Sequence, residues 1–284
     1  MSKFRRIIAV PRVRRLLRYA AMAVVIVAVL STVVFVLRPQ LFERLERLAS
    51  GQPEPMLNMA VERSQFPVKG IDVSHHNGVI DFRKVAADSV DFVIIKATEG
   101  VTFRDSCMRR NYEGATAAGL RVGFYHFFRF ERGGVRQGRN FLGAVGDMPV
   151  QMPLVIDFES SNNPETDYYL VGGRLRDMAD YLRRHGRRVM VYCNHNDYER
   201  YIRGNFDDMD LWLASGRLPE GDDRRHLWQH SHNGRVNGIS RPVDINTFNG
   251  SRADFEQWVC VVPHYEVQAP AAPDTVSCDT VAAH

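Results

Sequence analysis

The 284-residue chain has only four cysteines, Cys107, Cys193, Cys260 and Cys278. None stands in Cys-x-x-Cys spacing, so zinc-ribbon and thioredoxin-like patterns are absent. An oxidising compartment would permit a Cys260–Cys278 bridge pinning the C-terminal tail. Cys193, in the apolar run VMVYCN, reads instead as a small core residue. The chain has no stripe of interleaved basic and aromatic residues, so no nucleic-acid surface is expected. It has no internal repeat of the kind that builds solenoids.

Acidic residues are missing from residues 1–18, which hold seven basic ones: Lys3, Arg5, Arg6, Arg12, Arg14, Arg15 and Arg18. Removing those seven from 37 Lys and Arg leaves 30 against 33 Asp and Glu, so the net charge of +4 belongs to this leader. Charge is then absent from Tyr19 to Leu37. A helix of that length would be roughly 28 Å long, close to the hydrocarbon thickness of a bilayer. No clear Ala-x-Ala site follows, so the segment reads as a signal anchor through residues 19–37; secretion after cleavage is the alternative. With the basic flank kept in the cytoplasm, the rest of the chain lies across the inner membrane, in the periplasm or outside the cell.

Residues 38–69 read as a stalk, broken by GQPEP, and residues 263–284 as a disordered tail rich in Pro, Ala and small polar residues. Between them, residues 70–262 suffice for one domain. Eight β-rich runs recur there: GIDVS (70–74), FVIIKAT (92–98), RVGFYHFF (121–128), PLVIDFE (153–159), RVMVYCN (188–194), DLWLAS (210–215), HLWQHS (226–231) and VDINTF (243–248). Helical patterns over Ser106–Ala118, Val135–Val145 and Tyr168–His185 separate several of them. The later connections are too short and Gly/Pro-punctuated for full helices. The fold class predicted is α/β: a single, irregular TIM-like barrel of β/α units, preceded by the N-terminal transmembrane helix.

Strand side chains alternate faces. Asp72 with Ser74, Asp157 with Glu159, Tyr192 with Asn194, Gln229 with Ser231 and Asp244 with Asn246 therefore pair on common faces, late in their strands. In a parallel barrel those ends converge on one mouth, bringing four acids from three strands together. Two carboxylates a few ångströms apart push one pKa up, so that one stays protonated as a general acid. Cleavage of a glycosidic bond requires such a pair.

The motifs GIDVSHHNGVIDF, FVIIKATEG, GFYHFF, PLVIDFE, LWLA, WQHSHNGRVNGI and VDINTFNG, in this order, resemble glycoside hydrolase family 25, the Chalaropsis-type lysozymes. The resemblance runs from about Gly70 to Trp258. It implies an irregular β/α barrel that hydrolyses the β-1,4 bond between N-acetylmuramic acid and N-acetylglucosamine in peptidoglycan glycan strands, without a cofactor. It further implies that Glu159 is the general acid and that Asp157 stabilises an intermediate formed by the substrate's own acetamido group. Asp72 and Asp244 would position substrate, with Tyr125, His126, Tyr192, Trp212 and Gln229 lining the pocket. After LWLA the family often has an aromatic residue, where Ser215–Gly216 stands here, and WQH replaces the more usual WQY. Both changes bear on sugar stacking rather than on the acids. An anchored enzyme of this kind would remodel the cell's own wall locally.

Two rivals are of different classes. His226 and His230, spaced four apart, together with His75, His76 and His126, invite a metal-dependent amidase or deacetylase. On a strand, however, four residues span roughly 13 Å, too far for one metal. A non-catalytic wall-binding domain would have lost an acid, and all four are present. Asn249–Ser251 fits a glycosylation sequon, but reads better as a turn before the last helix.

Overall fold

Short apolar runs rich in Val, Ile and Phe, separated by helical segments, build a barrel. A computed structural model describes Tyr19, Met22, residues 59–219 and residues 224–260. The expected leader, the anchor apart from Tyr19 and Met22, the stalk up to residue 58, the tail and Cys278 lie outside the described residues. Among the described residues no helix is long and apolar enough to cross a membrane.

The strands are β1 (Lys69–Val73), β2 (Phe92–Glu99), β3 (Phe103–Arg104), β4 (Arg121–Phe127), β5 (Leu154–Asp157), β6 (Val189–Asn194), β7 (Asp210–Ala214), β8 (Leu227–Gly234) and β9 (Val243–Phe248). The sheet order β1-β9-β8-β7-β6-β5-β4-β2 closes on itself through the β1–β2 pair, and β3 is a short flange on the end of β2. The helices are α1 (Phe82–Ala87), α2 (Met108–Ala117), α3 (Gly134–Val145), α4 (Tyr168–Arg184), α5 (His195–Asp197) and α6 (Arg252–Val259). Eight strands thus form the barrel, as the eight apolar runs predict, and α2, α3 and α4 match the three predicted helices to within two residues.

The barrel is not wholly parallel. Within the barrel the neighbours among β1, β2 and β4–β8 run parallel, but β9 is antiparallel to both β8 and β1, as the flange β3 is to β2. Only residues 235–242 join β8 to β9, too few for a crossover back to the other end, so the chain turns round at the mouth. Asp244 accordingly sits near the start of its strand rather than late in it, and still reaches the mouth.

Side chains alternate between two cores. Phe92, Ile94, Val155, Met190, Tyr192, Trp212, Leu227 and Phe248 fill the barrel, and Phe255, Trp258 and Val259 of α6 pack into the same cluster. Ile71, Val93, Ile95, Phe124, Ile156, Val191 and Leu213 face outward and pack with the helices. Strands buried on both faces read as continuous apolar runs. Helix α4 shows how the outer layer is specified. Asp167 caps it by accepting Leu170 N–H at 2.9 Å, and Val171, Leu175, Met178, Ala179 and Leu182 form its buried stripe. Helix α3 approaches α4 so closely that a Cβ on Gly134 would lie 1.9 Å from Arg174 O, and one on Gly138 would lie 2.7 Å from the Tyr181 ring. Ser251 caps α6, with its hydroxyl accepting Asp254 N–H, so the NGS segment is a turn leading into the last helix.

The outer wall at β8–β9 is covered by the residues just before β1. Met59 exchanges hydrogen bonds with His230, Phe66 meets Trp228 edge-on at 5.5 Å, and Thr247 Oγ1 donates to Val68 O at 2.8 Å.

Candidate active site

The carboxyl ends of β1 and β4–β8, with the start of β9, surround one pocket lined by Asp72, Tyr125, Asp157, Glu159, Tyr192, Trp212, Gln229, His232 and Asp244. Strand pairing brings the acids together: Asp72 stands opposite Asp244, and Asp157 opposite Tyr192.

A chain of neutral donors holds one wall. Asp72 Oδ2 accepts from Gln229 Nε2 at 2.9 Å and from Asn246 Nδ2 at 2.8 Å. The Tyr192 hydroxyl donates to Gln229 Oε1 at 2.7 Å, and Trp212 Nε1–H donates to Asn246 Oδ1 at 2.9 Å. The two aromatic residues thus orient the amides that grip Asp72, and they also pack edge to face on each other at 4.6 Å. Burial raises the Asp72 pKa well above the usual carboxylate range and Asp244 raises it further, against the pull of the two amides.

The adjoining strand β5 and its exit carry Asp157 and Glu159. Asp157 is 7% exposed, and its Oδ1 is buried with no hydrogen-bond partner. Its pKa is held well above the ordinary value, first by burial and next by Glu159. Glu159 is less enclosed; burial raises its pKa, while a hydrogen bond from Asn162 Nδ2 to Oε2 opposes the rise. Burial also pushes the Tyr125 and Tyr192 hydroxyls well above 10.0. The pocket therefore gathers carboxyl groups whose protonated forms persist to higher pH than on a surface, the arrangement that acid/base chemistry uses.

His126 does not join them. It follows the inward Tyr125 by one residue, so the pleat sends it out of the barrel. There its Nδ1 meets Thr98 Oγ1 at 2.7 Å and its Nε2 meets Gln137 Oε1 of α3 at 3.1 Å. Burial lowers its pKa to about 4, so it is a neutral strut between barrel and helix. Ser231 also leaves the pocket face. A β-bulge between Gln229 and Ser231 sets Ser231 opposite the outward Ile245, and His232 enters the pocket instead, 3.3 Å from Asp244 Oδ1. His226 and His230 do not converge: His226 faces Asp210 and stacks on Trp258 of α6, while His230 holds Met59 on the outer wall. His75 gives its Nδ1 to the buried Asp105 at 2.7 Å and lies against His76.

Sequence reasoning passed over three contributors, His232, Asn162 and Lys96, and gave a fourth, Asn246, a place on the mouth-facing side but no role. Asn246 carried a signal, since it shares a strand face with Asp244. Lys96 also had one, standing two residues beyond the inward Ile94; its Nζ meets Glu99 Oε2 at 2.8 Å, and its charge acts on both Asp157 and Glu159. His232 depends on the bulge and Asn162 on a loop, and neither has a periodic signature.

Residues 71–239 match the sequence profile of glycosyl hydrolases family 25. The chain belongs to this family. It is 34% identical over 184 residues to the autolytic lysozyme of Clostridium acetobutylicum, an alignment covering 64% of this chain and 56% of that protein. It is 33% identical over 204 residues to lysozyme M1 of Streptomyces globisporus, covering 66% and 69% respectively. The solved structure of a family 25 glycosyl hydrolase from Bacillus anthracis is similar with a TM-score of 0.64 at 30% identity, covering 73% of this chain and 99% of that one. The chain thus spans just over half the length of the clostridial relative, while the family 25 fold fits almost the whole bacillar structure.

Proposed function

We propose that the protein is a peptidoglycan muramidase, a lysozyme that hydrolyses the β-1,4 bond between N-acetylmuramic acid and N-acetylglucosamine. The observation that carries this reading is the pairing of Glu159 with Asp157 at the barrel mouth, where Asp157 Oδ1 is buried and unpartnered. A buried acceptor left empty is costly, and a donor on the substrate would satisfy it. The acetamido N–H of a muramic acid ring is such a donor. The lysozyme names of the relatives point the same way.

In this reading Glu159 begins protonated and gives its proton to the glycosidic oxygen as the C1–O bond breaks. The acetamido oxygen of the same sugar attacks C1 from the opposite face, and Asp157 holds the N–H of the cyclic cation that forms. Glu159, now a carboxylate, takes a proton from water as that water opens the ring, so the configuration at C1 is retained. Asp72, Asp244, Tyr125, Tyr192, Trp212 and Gln229 shape the pocket around the bound sugar. No step calls for a metal or an organic cofactor.

The test is digestion of purified peptidoglycan by the full-length chain beside Glu159→Gln, with the new reducing ends identified. Muramic acid ends released by the wild type alone are expected. Release by both proteins would remove Glu159 as the acid, and release by neither, with binding intact, would make the barrel a wall-binding domain.

The uncharged run from Tyr19 to Leu37 behind seven basic residues supports an anchor that keeps this barrel near the membrane, with the cell's own wall as its substrate. Fractionation of growing cells tests this: recovery with membranes is expected, and free protein in the medium would favour the cleaved, secreted form.

A further inference from the structure

Next to the turn that carries Glu159, and outside the residues that line the pocket, lies a further carboxylate that the proposed reaction does not use. We infer that Asp197 is a positioning residue for Glu159: its carboxylate fixes the backbone that follows the acid and sets a negative charge near it. The inference rests on the reading of Glu159 as the general acid.

Asp197 ends α5, just beyond β6, and is 2% exposed. Its Oδ2 accepts Ser160 N–H at 2.9 Å and Asn194 Nδ2 at 3.1 Å, while Asp197 N–H returns to Asn194 Oδ1 at 2.8 Å. The exit of β6 thereby clamps the exit of β5 one residue after Glu159. Two further ties hold the same turn: Asn162 Nδ2 donates to Glu159 Oε2, and Asn163 Nδ2 donates to Glu159 O at 2.8 Å. Both are neutral amides, whereas Asp197 brings charge.

A buried carboxylate is an expensive way to accept two neutral donors, which the oxygen of an asparagine could accept as well. Among the described residues Asp197 forms no ion pair; Arg200 acts on it only at longer range. Burial raises its pKa and the Ser160 bonds pull it back down. The charged groups that face Glu159 are Asp157 from the end of β5, Asp197 from α5, His232 from β8 and Lys96 from β2. His232 and Lys96 favour the ionised form of Glu159, and Asp197 favours the protonated form. A general acid must enter the reaction protonated, so the charge on Asp197 extends activity to higher pH.

Asp197→Asn keeps an oxygen for Ser160 N–H and removes the charge. The expected result is an unchanged melting temperature and a kcat/KM profile on peptidoglycan whose alkaline limb moves to lower pH, with about a tenfold loss on that limb and little change on the acid side. Asp197→Ala, which also frees the turn, is expected to lower kcat at every pH. A profile for Asp197→Asn that superimposes on the wild type, or falls equally at all pH values, overturns the inference. Glu159→Gln runs alongside: if it stays active, the reading of Glu159 has failed; if it is inactive while the Asp197→Asn profile is unmoved, only the role of Asp197 has failed. Should Asp197→Asn melt early, a side-chain carboxyl ¹³C titration of the wild type decides. A step in the Glu159 signal as Asp197 titrates supports the coupling, and a single uncoupled curve overturns it.

Discussion

The mouth of the barrel and its periphery use the same side chains to opposite ends. Around the outside, carboxylates meet arginines: Asp208 pairs with Arg176 and Arg183, Glu256 with Arg121, and Asp91 with Arg252. Despite some burial, the two guanidiniums hold the Asp208 pKa at about 2. At the mouth, Asp72 faces Asp244 and Asp157 adjoins Glu159, and burial raises Asp72, Asp157 and Glu159. The fold can pair its acids with arginines, yet among the described residues it gives Asp72, Asp157 and Glu159 no arginine or lysine in ion-pair contact. Stability given up at one site while the rest is well paired is what a site built for chemistry looks like.

Four substitutions break or sharpen that contrast. The largest effect is expected from Glu159→Gln, which keeps shape and removes the proton donor. It should lower kcat about 10³-fold, roughly 4 kcal/mol on the barrier, with an unchanged melting curve. Second is Phe255→Ala in α6. It empties a fully enclosed aromatic site packed on Phe92, Phe248 and Trp258 and should cost about 3–5 kcal/mol in denaturant unfolding. Activity per folded molecule should stay close to wild type, because nothing at the mouth is touched.

Third, Asp72→Asn should stabilise the fold by about 0.5–2 kcal/mol at neutral pH while lowering activity. The sign follows from the raised Asp72 pKa: below its unfolded value the group is protonated in both states and costs nothing, and above it the folded state carries a penalty. The gain should therefore vanish as the pH falls below about 4. The smallest change is expected from Asp208→Asn, which loses less than about 1 kcal/mol, since the group is half exposed and solvent screens its arginines. Its pKa is depressed, so the stability it contributes is present above the unfolded value and disappears as the pH falls through about 2. Melting curves across pH check both signs.

The barrel was largely legible in the sequence because burial on both faces writes itself as apolar runs such as FVII and PLVI. The acids were legible for the same reason: a carboxylate at the end of such a run has few places to go but the mouth. The reversal of β9 was written only in the shortness of residues 235–242. Period-two alternation alone was enough to separate Tyr125 from His126, and it places His126 on the outer wall. It misplaced Ser231, because the bulge is a property of the β8–β9 ladder and leaves no mark in β8. The loop that holds Glu159 depends on Asp197, which lies 38 residues further along the chain and is brought in only when β5 and β6 pair.

The most direct test is a carboxyl ¹³C titration of the folded protein that follows Asp72, Asp157, Glu159 and Asp208 together. The account predicts that Asp208 ionises first, near pH 2, and that Asp72, Asp157 and Glu159 all ionise above the ordinary carboxylate range. Mouth carboxylates that ionise alongside ordinary surface acids would contradict it, because the pocket would then hold no proton to give.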